Sequence, residues 1–189
     1  MESDRRTRRT KKLLTDAFLE LLSSKKLNEI TIKELCDKAD INRGTFYLHY
    51  QDIYDLKQQI ETELYDELAK LIFPITTMKD LDSYQLFYDL FTFTKRNERL
   101  FTTLLGPNGD ISFLTDLKTL FKQYYLLPML EEQYSSYAKN IEYAYDFASA
   151  GFAELVTRWL IAEQPDSIED MAKLTSKMVF DGLPALISE

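Results

Sequence analysis

The chain has 189 residues, 45% of them hydrophobic and with 12 Tyr and 12 Phe, enough for one or two domains with real cores. No apolar run approaches the length of a membrane span, the basic, polar N-terminus lacks the apolar stretch of a secretory signal, and the single cysteine excludes an internal disulfide, so a cytoplasmic protein is expected. The net charge of −8 speaks against nucleic acid only until it is mapped: residues 1–57 carry 12 basic and 10 acidic side chains, net +2, whereas residues 58–189 carry 11 and 21, net −10.

Positive charge is densest in the first twelve residues, which hold six basic and two acidic side chains. That is where phosphate would be met, while the acidic remainder opposes nonspecific association. Met1 to Arg6 reads as a short disordered arm, either a solvated tail or one whose Arg5 and Arg6, with Arg8 and Arg9, lie along a phosphate backbone or in a minor groove. Helix 1 is expected over about Thr7–Ser24, with Leu13, Leu14, Ala17, Phe18, Leu21 and Leu22 as its buried stripe. Lys25–Glu29 connects, with Leu27 tucked inward.

Helix 2 opens at Thr31, which forms with Glu34 the S/T-x-x-E pattern of a capping box. Ile32, Leu35, Cys36 and Ala39 follow at helical spacing, so Cys36 reads as a core residue rather than a reactive thiol. Asp40 and Asn42 suit a turn, Ile41 between them can plug the core, and Asn42 is an N-cap for helix 3. Helix 3 carries Arg43, Gly44, Thr45, Phe46, Tyr47, Leu48 and His49. Its first turn is odd for a purely structural element. A recognition helix contacts bases mainly through its N-terminal residues; Arg43 can reach guanine O6 and N7, Thr45 a thymine methyl or a phosphate, and Gly44 permits close approach of the backbone. The competing reading is a surface helical hairpin with a solvated polar side.

Helix 4 begins near Asp52, a cap, and runs to about Phe73 with Ile53, Leu56, Ile60, Leu64, Leu68, Leu71 and Ile72 apolar; Pro74 ends it. Such a rod, spanning two units, is a natural lever. Helix 5 is expected over about Asp80–Thr94, helix 6 over Asn97–Leu105 before the Gly106-Pro107-Asn108-Gly109 turn, helix 7 over Ile111–Tyr134 with a break near Pro128, helix 8 over Tyr137–Ala162, and helix 9 from Ser167 to about Phe180. No alternating strand pattern appears, so the fold is expected to be all-α with about nine helices. Ala144, Ala148, Gly151 and Leu155 form a small-residue face on helix 8. It suits either intrachain packing or, with Met171, Leu174, Thr175, Met178 and Val179 of helix 9, a homodimer face closing a four-helix bundle on a two-fold axis.

Residues from about Arg8 to Glu67 resemble the DNA-binding domain of TetR-family transcriptional regulators. The likeness runs through the apolar first helix, Ile30-Thr31-Ile32, the run Thr45-Phe46-Tyr47-Leu48-His49-Tyr50, and Asp55-Leu56. Three positions depart from the family pattern. Lys26 and Asp40 stand where glycines are usual, and Ile53 stands where a phosphate-binding lysine is usual; Lys57, one turn later, is a candidate replacement. Residues from about Phe91 to Leu183 resemble the C-terminal domain of a Firmicutes-type branch of that family, through Asn97–Leu105 with Gly106 and through Ser149–Leu160. The resemblance implies that a small-molecule effector in the C-terminal domain changes the spacing of two reading heads.

The expected organisation is a DNA-binding helix-turn-helix domain at 1–51, a connecting helix at 52–73, and an effector-binding and dimerisation domain at 74–189. The expected partners are double-stranded palindromic DNA, a second copy of the chain through helices 8 and 9, and a small-molecule effector. The expected function is a sequence-specific, homodimeric repressor. Arg43 and Thr45 are assigned to bases, Tyr47, His49, Thr31 and Lys33 to phosphates, Gly44 to close approach, and Asn42 to capping, within reach of the DNA backbone. Tyr84, Tyr88, Phe91, Phe121, Tyr125 and Trp159 are candidates for an effector pocket, or else an aromatic core. His49 is the only histidine, and no metal-ligand spacing surrounds it. With one histidine, one cysteine and no glycine-rich phosphate loop, neither enzyme chemistry nor a cofactor is expected. The alternative reading is a non-DNA-binding adaptor of the same fold, motivated by Ile53 and the acidic surface.

Overall fold

The computed structural model describes residues 2–72, 82–109, 111–122, 138–162 and 166–181. Among these residues lie nine α-helices and no strand, as the periodicity predicts: α1 (Glu2–Ser24), α2 (Ile32–Ala39), α3 (Arg43–Tyr47), α4 (Ile53–Ile72), α5 (Ser83–Arg96), α6 (Glu98–Leu104), α7 (Ile111–Phe121), α8 (Ala138–Ile161) and α9 (Ile168–Ser176). A 3-10 turn, Leu27–Glu29, precedes α2, and a π-helical turn, Lys177–Asp181, follows α9. The expected break near Pro128 lies outside the described residues. No described helix is long and apolar enough to cross a membrane.

The chain packs as two compact units, Met1–Tyr65 with Arg99–Ile111, and Asp66–Glu98 with Ser112–Glu189. In the first unit α1 starts at Glu2, so the basic N-terminal segment is helical rather than a loose arm. It contains no glycine or proline, and its arginines are good helix formers. The buried stripe of α1 is Thr10, Leu14, Ala17, Phe18, Leu19, Leu21 and Leu22, whereas Leu13, at the edge of that stripe, is 39% exposed. Phe18, Leu14, Leu22, Leu35, Phe46 and Leu56 are the fully buried centre. Polar contacts set the register between helices. Lys38 pairs with Glu20 at 2.6 Å, the Arg99 guanidinium donates to the Asp16 carbonyl at 3.0 Å, and Asn108 donates to the Ser23 carbonyl at 3.4 Å. The exposed ion pairs among these contribute little stability, but they show which faces meet.

α4 enters the first unit through Ile53, Leu56, Ile60 and Leu64, all buried. Between them sits a buried ion pair, with the Lys57 ammonium 2.9 Å and 2.8 Å from the two Glu61 carboxylate oxygens. α6 ends in the glycine turn, closed by the Gly109 N–H donating to the Gly106 carbonyl at 2.9 Å. Both glycines are sterically required, because a Cβ at Gly106 would lie 2.7 Å from the Thr102 carbonyl oxygen and one at Gly109 1.9 Å from that of Leu104.

In the second unit α5 is capped by Asp82, whose carboxylate accepts the Gln85 N–H at 3.0 Å. It buries Leu86, Phe87, Leu90, Phe91, Phe93 and Thr94, and it packs on both α8 and α9. Ring contacts join α5 to α8: Phe87 to Phe152 at 5.4 Å, and Phe91 edge-on to Phe152 at 5.6 Å and to Trp159 at 5.2 Å. The Trp159 indole N–H donates to the Asp166 carbonyl at 2.8 Å. Phe91 and Trp159 are therefore core residues; Tyr84 and Tyr88 are half-buried, and the Phe121 and Tyr125 side chains lie outside the described residues. α9 is capped by Ser167, whose hydroxyl accepts the Asp170 N–H at 3.1 Å. Met171 and Thr175 are buried within the protomer, whereas Leu174 and Met178 are exposed. On α8, Ala148 and Leu155 are half-buried, Phe147 is 84% exposed, and a Cβ added at Gly151 would have nothing within 4 Å among the described residues. The Ala144 side chain lies outside the described residues.

Candidate nucleic-acid interface

The helical hairpin α2–α3 is built by local bonds that the sequence announces. The Thr31 hydroxyl accepts the Glu34 N–H at 3.2 Å and starts α2. Only this half of the expected capping box forms in that direction, because the Glu34 carboxylate turns to the Lys25 ammonium at 2.6 Å. A full positive charge is a stronger partner than a neutral N–H that water can satisfy. Leu35, Cys36 and Ala39 form the buried face of α2, and burial raises the Cys36 thiol pKa, against the lowering influence of Arg43.

The turn passes through Asp40 at φ 54°, ψ 46°, the only non-glycine residue with positive φ among the described residues. Left-handed backbone costs most side chains roughly 1–2 kcal/mol, and Asp less than most. The position that the family fills with glycine is thus strained here. Asp40→Gly is expected to stabilise the fold by about 0.5–1 kcal/mol, read as a rise of roughly 2–4 °C per kcal/mol in the thermal midpoint. An unchanged or lowered midpoint would contradict this.

Asn42 then caps α3, its side-chain oxygen accepting the Gly44 N–H at 2.8 Å. α3 is held from one side by Phe46, fully buried, whose ring meets Tyr47 edge-on at 5.5 Å and buried Tyr50 at 5.6 Å. Burial, then Glu63 and Asp55, push the Tyr50 hydroxyl pKa up to about 12, so it stays neutral. With Phe46 inward, helical geometry turns Gly44 and Leu48 to the opposite side, and Arg43, the first residue of α3, and Tyr47, one turn later, are exposed at the edge. All four are exposed, Tyr47 at 58% and Leu48 at 80%. Thr45 and His49 flank this face and are half-buried; Thr31 and Lys33 are exposed at the start of α2. Gly44 meets only its own cap, since a Cβ there would lie 3.3 Å from the Asn42 oxygen and near nothing else.

The far end of α3 is tied to α4. The Gln59 amide donates to the His49 carbonyl at 3.4 Å and to Asp55 at 3.0 Å, and Asp55 accepts the Gln51 N–H at 2.7 Å. These two hydrogen bonds, Gln51 first, hold the Asp55 carboxyl below its usual pKa. Lys11 of α1 donates to Gln59 at 3.3 Å and lies 5.8 Å from the Tyr50 ring centre. The expected replacement of the missing lysine does not occur. Ile53 is buried, and Lys57, 8% exposed, faces Glu61 inside the unit rather than solvent. Exposed positive charge lies instead on α1, where Arg5, Arg9 and Lys12 follow one another at spacings of four and three. Sequence reasoning missed Leu48 as an outward residue, because an apolar side chain in a periodic segment reads as core.

Residues 82–181 match the family model TetR_C_8, a transcriptional regulator C-terminal region. The chain is similar to an uncharacterised HTH-type transcriptional regulator, YxbF, of Bacillus subtilis (strain 168), at 23% identity over 168 residues. That match covers 87% of this chain and 43% of the relative, so the chain spans less than half of the relative's length. A solved TetR transcriptional regulator from Streptococcus agalactiae 2603V superposes with a TM-score of 0.66 at 25% identity, over 95% of this chain and 98% of that one. A TetR-family regulator from Streptomyces coelicolor shares the fold with a TM-score of 0.63 at 18% identity, over 95% of this chain and 86% of that one.

Proposed function

Given that the chain belongs to the TetR family of transcriptional regulators, we propose that it is a homodimeric, sequence-specific DNA-binding repressor acting in the cytoplasm and modulated by a small molecule. The observation that carries the reading is the outer face of α3. Arg43 and Tyr47 face out, Gly44 leaves room for a close approach, and Phe46 and Tyr50 lock the helix from behind. Arg43 and Thr45 read bases. Tyr47, His49, Thr31 and Lys33 hold phosphates. Asn42, engaged with the Gly44 N–H, acts chiefly as the cap.

One short hairpin offers too little surface for selective binding. Two copies on a two-fold axis, roughly 34–36 Å apart or a multiple of that, read a palindrome. The dimer forms through α8 and α9. The exposure of Phe147 and Gly151 on α8, of Leu174 on α9 and of Met178 in the π-helical turn after it supports this, since they leave apolar surface along both helices. In the C-terminal half, half-buried Tyr84 and Tyr88 remain candidates for effector contact, while Phe91 and Trp159 serve as core.

The test is duplex binding across a salt series. Arg43→Ala is expected to lose about 1–3 kcal/mol of discrimination at one base position, whereas Lys33→Ala weakens all sequences and reduces the salt slope by about one. Equal selectivity of Arg43→Ala and wild type would remove the base-reading assignment. The second reading, an adaptor without DNA binding, is favoured by one feature, the burial of Ile53 and Lys57 at the start of α4. It predicts no salt-dependent binding to any duplex.

A further inference from the structure

Leu48, 80% exposed, is the most exposed large apolar side chain among the described residues of the first unit, and it is not on a loose segment. Its N–H donates to the Thr45 carbonyl at 3.3 Å, and its backbone, at φ −73° and ψ −19°, continues the helical path. The following N–H groups of His49 and Tyr50 both donate to the Phe46 carbonyl, at 2.9 Å and 3.0 Å. Phe46 and Tyr50, on either side of it, are buried. The outward direction of Leu48 is therefore fixed before anything binds.

Four residues earlier, on the same face, is Gly44. Side chains on a helix lean towards its N-terminus, so Leu48 borders the ground that Gly44 leaves bare. Beyond its chain neighbours and its own helix backbone, only the Asn42 oxygen, among the described residues, lies within 4 Å of where a Gly44 side chain would start. The result is a shallow clearing with an aliphatic wall, set beside Arg43 and Tyr47. An isolated exposed leucine needs no explanation. One held rigidly beside an empty step on the reading face does.

We infer that Leu48 is a specificity-determining residue that receives the 5-methyl group of a thymine, one per half-site. This rests on the DNA-reading function proposed above. A leucine offers no hydrogen bond, so of the groups on base edges in the major groove it can discriminate only the thymine methyl. The arginines and lysine exposed along α1, in the same unit, favour a polyanion as the partner of this unit over an apolar protein.

The experiment uses the full chain and a duplex that it selects from a random pool. Each thymine is then replaced by deoxyuridine in symmetric pairs, which removes the methyl group alone. At one pair of positions wild type is expected to lose about 4-fold per half-site, or about 15-fold for the pair, the worth of burying one methyl group at each. Leu48→Ala is expected to bind the thymine and deoxyuridine duplexes equally. Because Leu48 is exposed, the variant should melt with wild type, and Leu48→Met should retain the methyl preference. Indifference of wild type to deoxyuridine at every position overturns the inference while leaving DNA reading intact. So does a Leu48→Ala variant that keeps the full thymine preference, which would assign the methyl group to another residue of the reading face, Thr45 first. Failure to select any duplex overturns both this inference and the function it rests on.

Discussion

Lys57→Met is expected to destabilise the protein by about 3–5 kcal/mol, while the double variant Lys57→Met/Glu61→Leu returns to within about 1 kcal/mol of wild type or above it. Both side chains are one-tenth exposed, and the ammonium faces both carboxylate oxygens. Desolvating two ions costs several kcal/mol each, and their mutual attraction counts against that cost while both are present. Taking away the cation removes the ammonium that lies 2.9 Å and 2.8 Å from the oxygens of a buried carboxylate. Taking away both leaves apolar residues next to Leu56, Ile60 and Leu64, which are already core. Denaturant midpoints of the two single variants and the double variant measure this directly. A single variant within 1 kcal/mol of wild type would refute it. The double variant should also keep the wild-type salt slope on DNA, because a lysine turned inward neutralises no phosphate.

Gly109→Ala carries the next largest penalty, roughly 2–3 kcal/mol, within the range for substitutions that force a backbone to move. The added carbon would sit 1.9 Å from the Leu104 carbonyl oxygen and 2.5 Å from its carbon, so the turn that closes α6 must open. The Asn108 bond to the Ser23 carbonyl, one residue away, should be loosened with it. The same chemical change at Gly151 on α8, where no described residue lies within 4 Å of the added carbon, is the control: there alanine should gain up to about 1 kcal/mol in the protomer from helix propensity alone. Thermal unfolding of the two variants in parallel separates steric clash from glycine replacement as such. Two variants with equal midpoints would contradict the geometry.

What was legible in the chain was whatever depends on neighbours. The caps at Thr31, Asn42 and Ser167 form where the residue types announce them, because an N-cap is decided within three residues. The inward turn of both Phe46 and Tyr50, four residues apart, follows from helical period. Errors arose where tertiary partners compete. Glu34 chose Lys25, nine residues away, over the N–H at its own helix start. Lys57 had the right charge and nearly the right place for a phosphate contact, but its partner Glu61 drew it inside. Leu13 counted as core because periodicity marks the direction of a stripe and not its width. The basic N-terminal segment passed for a loose arm because it is charged, although its residue types favour a helix.

The packing of Arg99–Ile111 with Met1–Tyr65 had no signature in composition or pattern. It bears on anyone who would graft this reading head onto another scaffold. A fragment ending at Tyr65 would surrender the guanidinium that grips Asp16 and the amide that grips Ser23. The transplantable piece is thus two stretches of chain rather than one, and a chimera spliced at a single junction inside α4 would inherit a head missing its own brace.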